Sequence, residues 1–192
     1  LVVLLDQAES AMYDLEFELK QLKDIPAFEV VIGDICNEER MERLFDTFKP
    51  SWVFHAAAYK HVPMMELNPS EAVRNNIKGT KILVDLSNKK AVHKFVMIST
   101  DKAVNPTNVM GASKRIAEII AQAANTGKTQ FITTRFGNVL GSNGSVIPLF
   151  KKDNSRILEA RVSYENSMVC VKIEASGLKV TMVPLFSVLP IC

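Results

Sequence analysis

Thr100, Asp101 and Lys102 place a hydroxyl, a carboxylate and an amine on consecutive residues, directly after the apolar run Phe95-Val96-Met97-Ile98. A second amine, Lys114, follows four residues after Met110, the spacing of neighbours on one helix face. Together these groups could donate a proton, accept one, and steady negative charge as it develops. The plainer readings are an ordinary surface lysine, a solvated Asp-Lys pair worth little, and a methionine that fills core. What favours chemistry is the setting. The carboxyl end of a buried strand is where an open α/β sheet keeps its reactive groups. Met110 is the odd member, because a thioether cannot transfer a proton.

The elements that must hold these residues alternate along the chain. Leu1 to Leu5 reads as a buried parallel strand ending at Asp6, and Ala8 to Lys23 as a helix. Phe28 to Ile32 predicts a second strand closed by Gly33-Asp34. Asn37 is placed to cap a helix running to Phe48, with Glu38 and Glu39 in its first turn. Trp52 to His55 predicts a third strand. Asn68 and Pro69 open a helix through Val73, Ile77 and Leu83. A fourth strand is expected over Lys94 to Ser99, a helix over Val109 to Asn125, and a fifth strand over Gln130 to Arg135. Strand and helix in strict alternation predict an α/β fold, a doubly wound parallel sheet of the Rossmann class. Beyond Lys152 the pattern changes. Met168 to Glu174 and Leu178 to Val183 flank Ala175-Ser176-Gly177 and predict a hairpin. Two regions are therefore expected, a Rossmann-like domain over 1–150 and a divergent tail over 151–192.

Composition excludes several classes. A net charge of +2, with no long Lys/Arg run, offers no phosphate-tracking stripe for nucleic acid. Cys36, Cys170 and Cys192, and His55, His61 and His93, lack metal-ligand spacing. No apolar run is long enough for a membrane span, which fits a cytoplasmic protein.

A Rossmann domain ordinarily opens with a glycine-rich turn against a helix amino terminus, yet the first glycine here is Gly33. The chain also starts in mid-strand, without methionine. Both features predict a fragment lacking the first strand and its glycine-rich turn. The run Gly137 to Gly144 has the wrong spacing for a phosphate loop. Asp6 sits where a carboxylate would bind a ribose diol, or simply cap the next helix. Asp34 could accept from an adenine amino group or shape a turn. Ala56, Ala57 and Ala58 form a small-residue floor for a flat cofactor or for close helix packing.

Five words carry a family resemblance: Gly33-Asp34-Ile35, His55 to Pro63, Asn76-Ile77-Lys78-Gly79-Thr80, Ser99 to Gly111, and Arg135 to Ser142. They resemble the extended short-chain dehydrogenase/reductases, and within them the CapD-like polysaccharide-biosynthesis group of UDP-N-acetylglucosamine 4,6-dehydratases. That superfamily usually has tyrosine where this chain has Met110, and one dehydratase branch carries methionine there.

The resemblance implies NAD as cofactor and a UDP-sugar as substrate. In that family the sugar is oxidised at C4, water is eliminated across C5 and C6, and the hydride returns at C6. Carried over, Asp101 protonates the departing C6 hydroxyl, Lys102 is the base at C5, Thr100 orients the sugar, and Lys114 holds the nicotinamide ribose. The proton of the C4 hydroxyl would go to Asp101 or to a water relay. Asp6, Asp34, Ile35, Ala56, Ala57 and Ala58 would bind the cofactor. Asn76 matches the family's helix asparagine that supports the active site and is grouped with the substrate-side residues, while Lys60, His61, Arg135 and Asn138 would line the substrate side. A homo-oligomer, and a parent anchored at the cytoplasmic side of a membrane, are also implied. The tail does not resemble the family's substrate lobe.

Overall fold

A computed structural model describes residues 1–137 apart from 24 and 126, together with the backbones of three later strands. The chain divides into two compact units, Leu1–Thr133 and Thr134–Cys192.

The first unit alternates strand and helix as the periodicity predicts. Strand β1 (Val2–Asp6) leads through α1 (Glu9–Gln21) to β2 (Phe28–Ile32), and α2 (Glu38–Phe48) leads to β3 (Trp52–His55). A short helix α3 (Val62–Leu67) precedes one long helical rod made of α4 (Pro69–Ala72), a π-helical segment (Val73–Gly79) and α5 (Thr80–Lys89). Strand β4 (Lys94–Thr100), a 3₁₀ turn (Asp101–Ala103), α6 (Val109–Ala123) and β5 (Gln130–Phe136) follow. Asn37 caps α2 as expected, its side chain accepting from Arg40 N at 3.0 Å. Asn68 occupies the N-cap position of α4, but its side chain makes no capping bond. Its amide instead donates to the Met64 carbonyl at 2.9 Å, because the unforeseen α3 ends directly beside it.

The sheet is divided. β1 pairs in parallel with β2, and β3 with β4, giving one sheet of order β1-β2 and another of order β3-β4-β5. A doubly wound sheet places a further strand between these two groups. Among the described residues none lies there. On β3, Trp52 and Phe54 are 48% and 66% exposed. An apolar strand face this open is unusual where both faces of a parallel sheet are normally covered.

The core survives because it lies on the other face. Phe95 and Met97 of β4 are fully buried against Leu83 and Leu86 of α5 and Ala117 and Ala121 of α6. Phe131 meets Phe95 with ring centroids 5.3 Å apart in a tilted geometry that aromatic pairs favour. This layer fixes where β4 ends and how α6 crosses it. In the second unit, β6 (Glu159–Glu165), β7 (Met168–Ala175) and β8 (Leu178–Val180) form an antiparallel meander. The β7–β8 pair is the predicted hairpin.

Candidate active site

The strand ending in Thr100 delivers a compact polar cluster. Thr100 Oγ1 donates to Asp101 Oδ1 at 2.9 Å, and Lys102 Nζ reaches the same oxygen at 3.2 Å. The Lys102 backbone N–H closes the turn onto Thr100 Oγ1 at 3.3 Å. Partial burial pushes the Asp101 carboxyl up, but the hydrogen bonds from Thr100 and Lys102 and the lysine charge outweigh it and hold it below its usual range. The resting pair is therefore carboxylate and ammonium, partly open to solvent.

Lys114 approaches from α6 and is only 6% exposed. Its ammonium donates to the Ile98 carbonyl at 2.9 Å, one residue-pair before the Thr100 turn. Burial lowers its pKa to about 8, opposed by the neighbouring carboxylate of Glu118. Sequence reasoning missed Glu118, which is completely buried and paired with Arg115 at 2.9 Å. A buried carboxylate one turn from a buried lysine is a signal the spacing alone could have raised.

Met110 is 3% exposed and packs with Met65 and Ala72, against Tyr59, Val62 and Val109. The methionine belongs to an apolar cluster and stands apart from the polar groups, as a thioether that cannot transfer a proton would. Gly111 beside it brings α6 onto the turn. A Cβ there would stand 2.4 Å from the Lys102 carbonyl oxygen.

A cleft of about 230 Å³ opens at the carboxyl ends of β1, β2 and β3, lined among others by Asp6, Asp34, Ile35, Ala57, Ala58 and Tyr59. Asp6 accepts from Ala8 N at 2.8 Å, so it caps the turn while facing the cleft. Asp34 accepts from Cys36 N at 2.8 Å and from Arg74. Ile35 buries its side chain in the core, leaving only its backbone to serve a ligand. Ala57 and Ala58 form part of the floor, whereas Ala56 is exposed and outside the described lining. Lys60 and His61 are exposed on the loop that follows. Arg135 belongs to the second unit, and Asn138 lies outside the described residues.

Asn76 is 1% exposed and bonds to the protein, an arrangement that suits support of the site and not direct contact with a substrate. Its Oδ1 accepts from Tyr59 N at 2.9 Å, while its Nδ2 donates to Tyr59 O at 3.1 Å and to Ser113 Oγ at 3.0 Å. Asn76 thus ties the cleft loop to the helix that carries Lys114. The π-helical segment turns it there, and π-turns recur at functional sites. Tyr59 and Ser113, like Glu118, were not singled out by the sequence.

His55 completes this layer. Thr80 Oγ1 donates to Asn76 O at 2.6 Å, so its single proton is used. The 2.8 Å contact from His55 Nε2 to Thr80 Oγ1 must then be donated by the imidazole, which fixes a neutral Nε2–H tautomer. Burial, and then the charge of Lys114, lower the His55 pKa to about 3. The unfolded chain takes up this proton near pH 6.5, so it binds more protons than the folded chain between about pH 6.5 and 3. Stability is accordingly expected to fall with pH below about 6.5, by up to about 1.4 kcal/mol per pH unit from this group. Urea denaturation at pH 7, 6 and 5 measures the slope. A His55→Gln variant with an unchanged slope would assign the loss elsewhere.

Parallel strands with their polar groups at the carboxyl ends define a Rossmann-type α/β protein. The chain belongs to the polysaccharide biosynthesis protein family, whose model matches residues 1–162. It is 54% identical over 153 residues to the capsular polysaccharide biosynthesis protein CapD of Staphylococcus aureus, covering 78% of this chain and 26% of that protein. It is 40% identical over 141 residues to an inverting UDP-N-acetylglucosamine 4,6-dehydratase of Campylobacter jejuni, covering 71% of this chain and 42% of that one. The X-ray structure of Pen from Bacillus thuringiensis superposes with a TM-score of 0.72 at 35% identity, covering 90% of this chain and 52% of that one. The chain therefore spans less than half the length of these two curated relatives. Among the described residues no helix is long and apolar enough to cross a membrane, and no His/Cys/Asp/Glu group could hold a metal ion.

Proposed function

We propose that this chain supplies the proton-transfer half of an NAD-dependent 4,6-dehydratase acting on a UDP-N-acetylhexosamine for polysaccharide synthesis. The observation that carries the reading is the hydrogen-bonded Thr100-Asp101-Lys102 cluster at the end of β4, with Met110 withdrawn into apolar packing.

The cleft fits the adenosine half of a dinucleotide: two carboxylates at adjacent strand ends, and small residues between them where a flat ring can lie. Asp6 would hold a ribose diol and Asp34 the base amino group. Lys114, fixed by the Ile98 carbonyl, would hold the nicotinamide ribose. NAD, when bound, supplies reversible oxidation of the sugar at C4 with return of the hydride at C6.

The chain's own residues then handle protons. One proton passing from Lys102 Nζ to Asp101 along their hydrogen bond creates the neutral acid and base that elimination needs. In the open site the charged pair is favoured. A sugar that covers the cluster removes water and favours the neutral pair, because desolvation penalises both charges. Lys102 would then take the C5 proton of the 4-keto sugar, and Asp101 would protonate the C6 hydroxyl as it leaves as water. Thr100, which donates to Asp101, would steady the carboxyl and the sugar edge.

The test is a substrate carrying deuterium at C4. Dehydration with internal return moves the label to C6. Retention of the label at C4 of an inverted sugar would instead establish a 4-epimerase, the nearest competing activity. Met110 weighs against that alternative because epimerases of the resembled superfamily ordinarily keep tyrosine at this position; in the dehydratase reading the C4 hydroxyl proton goes to Asp101 or to a water relay. The 192-residue chain alone is expected to bind NAD only weakly, at millimolar concentrations or above. Among the described residues no strand joins β1 to β3, and no glycine-rich turn is present to cradle the pyrophosphate. Micromolar NAD binding by the isolated chain, read by calorimetry, would contradict this expectation.

A further inference from the structure

The charged residue Arg74 is used by none of the steps above, yet its side chain crosses to the cleft and ends on Asp34. Its attachments are unusual for a half-exposed arginine. The guanidinium Nη2 donates to Asp34 Oδ2, and Nη1 lies 3.7 Å from Glu71 on its own rod. Its main chain is tied to the same loop, for the Cys36 thiol donates to the Arg74 carbonyl at 3.1 Å. Cys36 N–H in turn holds Asp34 Oδ1 at 2.8 Å. Both carboxylate oxygens are therefore fixed, one by the loop and one by Arg74, and the plane of the carboxylate is set.

Ion pairs this exposed contribute little to stability, so a purely structural role is a poor account of the arrangement. Orientation is a better one. A fixed, ionised carboxylate is an obligate acceptor, with each oxygen retaining a lone pair for a ligand donor. Partial burial pushes the Asp34 carboxyl up, but the Cys36 backbone bond, then the Arg74 hydrogen bond and charge, bring it below its usual range. The π-helical segment starts at Val73, so the same helical irregularity that turns Asn76 inward presents Arg74 to the loop.

We propose that Arg74 is the positioning residue of the adenine subsite, holding Asp34 as an aimed acceptor that selects a 6-amino purine over a 6-oxo purine. This rests on the reading of the cleft as a dinucleotide site. Adenine offers an N–H donor at position 6, whereas hypoxanthine offers a carbonyl oxygen that a carboxylate repels. Without Arg74, Asp34 is held at one oxygen only and can turn from the base, so discrimination should fall more than overall fold.

The test is titration of the 192-residue chain with 5′-AMP and with 5′-IMP, followed by protein NMR shifts, with far-UV circular dichroism confirming the fold of each variant. The wild-type chain should prefer AMP by about tenfold, about one hydrogen bond's worth of discrimination. Arg74→Gln should bring the two nucleotides within about threefold of each other, and Arg74→Lys, which keeps the ion pair, should restore most of the preference. Arg74→Gln with the wild-type preference intact would overturn the proposal. Equal loss of AMP and IMP binding in that variant would do so too, because it would mark a structural role. Because this chain is expected to bind in the millimolar range, the titration runs to about 50 mM; a wild-type chain whose shifts respond to neither nucleotide even there would overturn the dinucleotide reading itself, and the role of Arg74 with it.

Discussion

Asp101→Asn, in protein that carries the complete cofactor site, is expected to lower dehydration turnover by about 10²–10⁴-fold, the usual contribution of a positioned proton donor. Asparagine keeps the shape of the side chain and can still accept from Thr100, so the turn at 101–103 should persist. What it loses is the ability to take a proton from Lys102 and give it to the leaving hydroxyl. Binding of the nucleotide sugar should change by less than about threefold, because the loss is confined to the transition state. Single-turnover kinetics with C4-deuterated substrate would separate the steps. Label should still leave C4, while water elimination stalls. A variant that eliminates water within tenfold of wild type would remove Asp101 from the mechanism, and the ion pair with Lys102 would then be only a cap for the turn.

Gly111→Ala is expected to destabilise the first unit by about 1–3 kcal/mol, the range for forced overpacking. The reason is specific. The added Cβ would lie 2.4 Å from the Lys102 carbonyl oxygen, a backbone atom that cannot swing aside as a side-chain tip can. Either α6 lifts from the turn or the turn shifts. Both separate Lys114 from the end of β4, so the stability loss should come with a loss of turnover beyond that explained by unfolding. Gly127→Ala is the control, since a Cβ there meets nothing within 4 Å and the change should be within about 0.5 kcal/mol. Equal denaturant midpoints for the two variants would mean that α6 is not seated on the Lys102 carbonyl.

These predictions show what was readable along the chain. The strands were legible because each is a short apolar run bounded by Gly, Pro or Asp. The cap at Asn37 was legible because an N-cap is a local bond. The adjacency of Thr100, Asp101 and Lys102 at a strand end was legible because a short apolar run leads directly into them. What is not legible has a different cause. The polarity of Asn76 does not say which way its side chain turns, because that depends on the π-helical segment and on Tyr59 and Ser113 arriving from distant parts of the chain. The position of Asn68 before Pro69 is legible, but the turn of its side chain to α3 is not, because α3 carries too weak a local pattern to be seen.

The sequence by itself determined the class of sheet and the family, and it set Thr100, Asp101 and Lys102 side by side at a strand end, since these rest on local periodicity and contiguous words. Only the tertiary structure decided their states. It put Met110 in apolar packing, left Asp101 and Lys102 as an exposed ion pair, and buried Lys114 near Glu118 and a neutral His55. Each of these follows from desolvation and from partners supplied by other elements. Those quantities exist only once strand β4, the π-turned rod and α6 have been packed together.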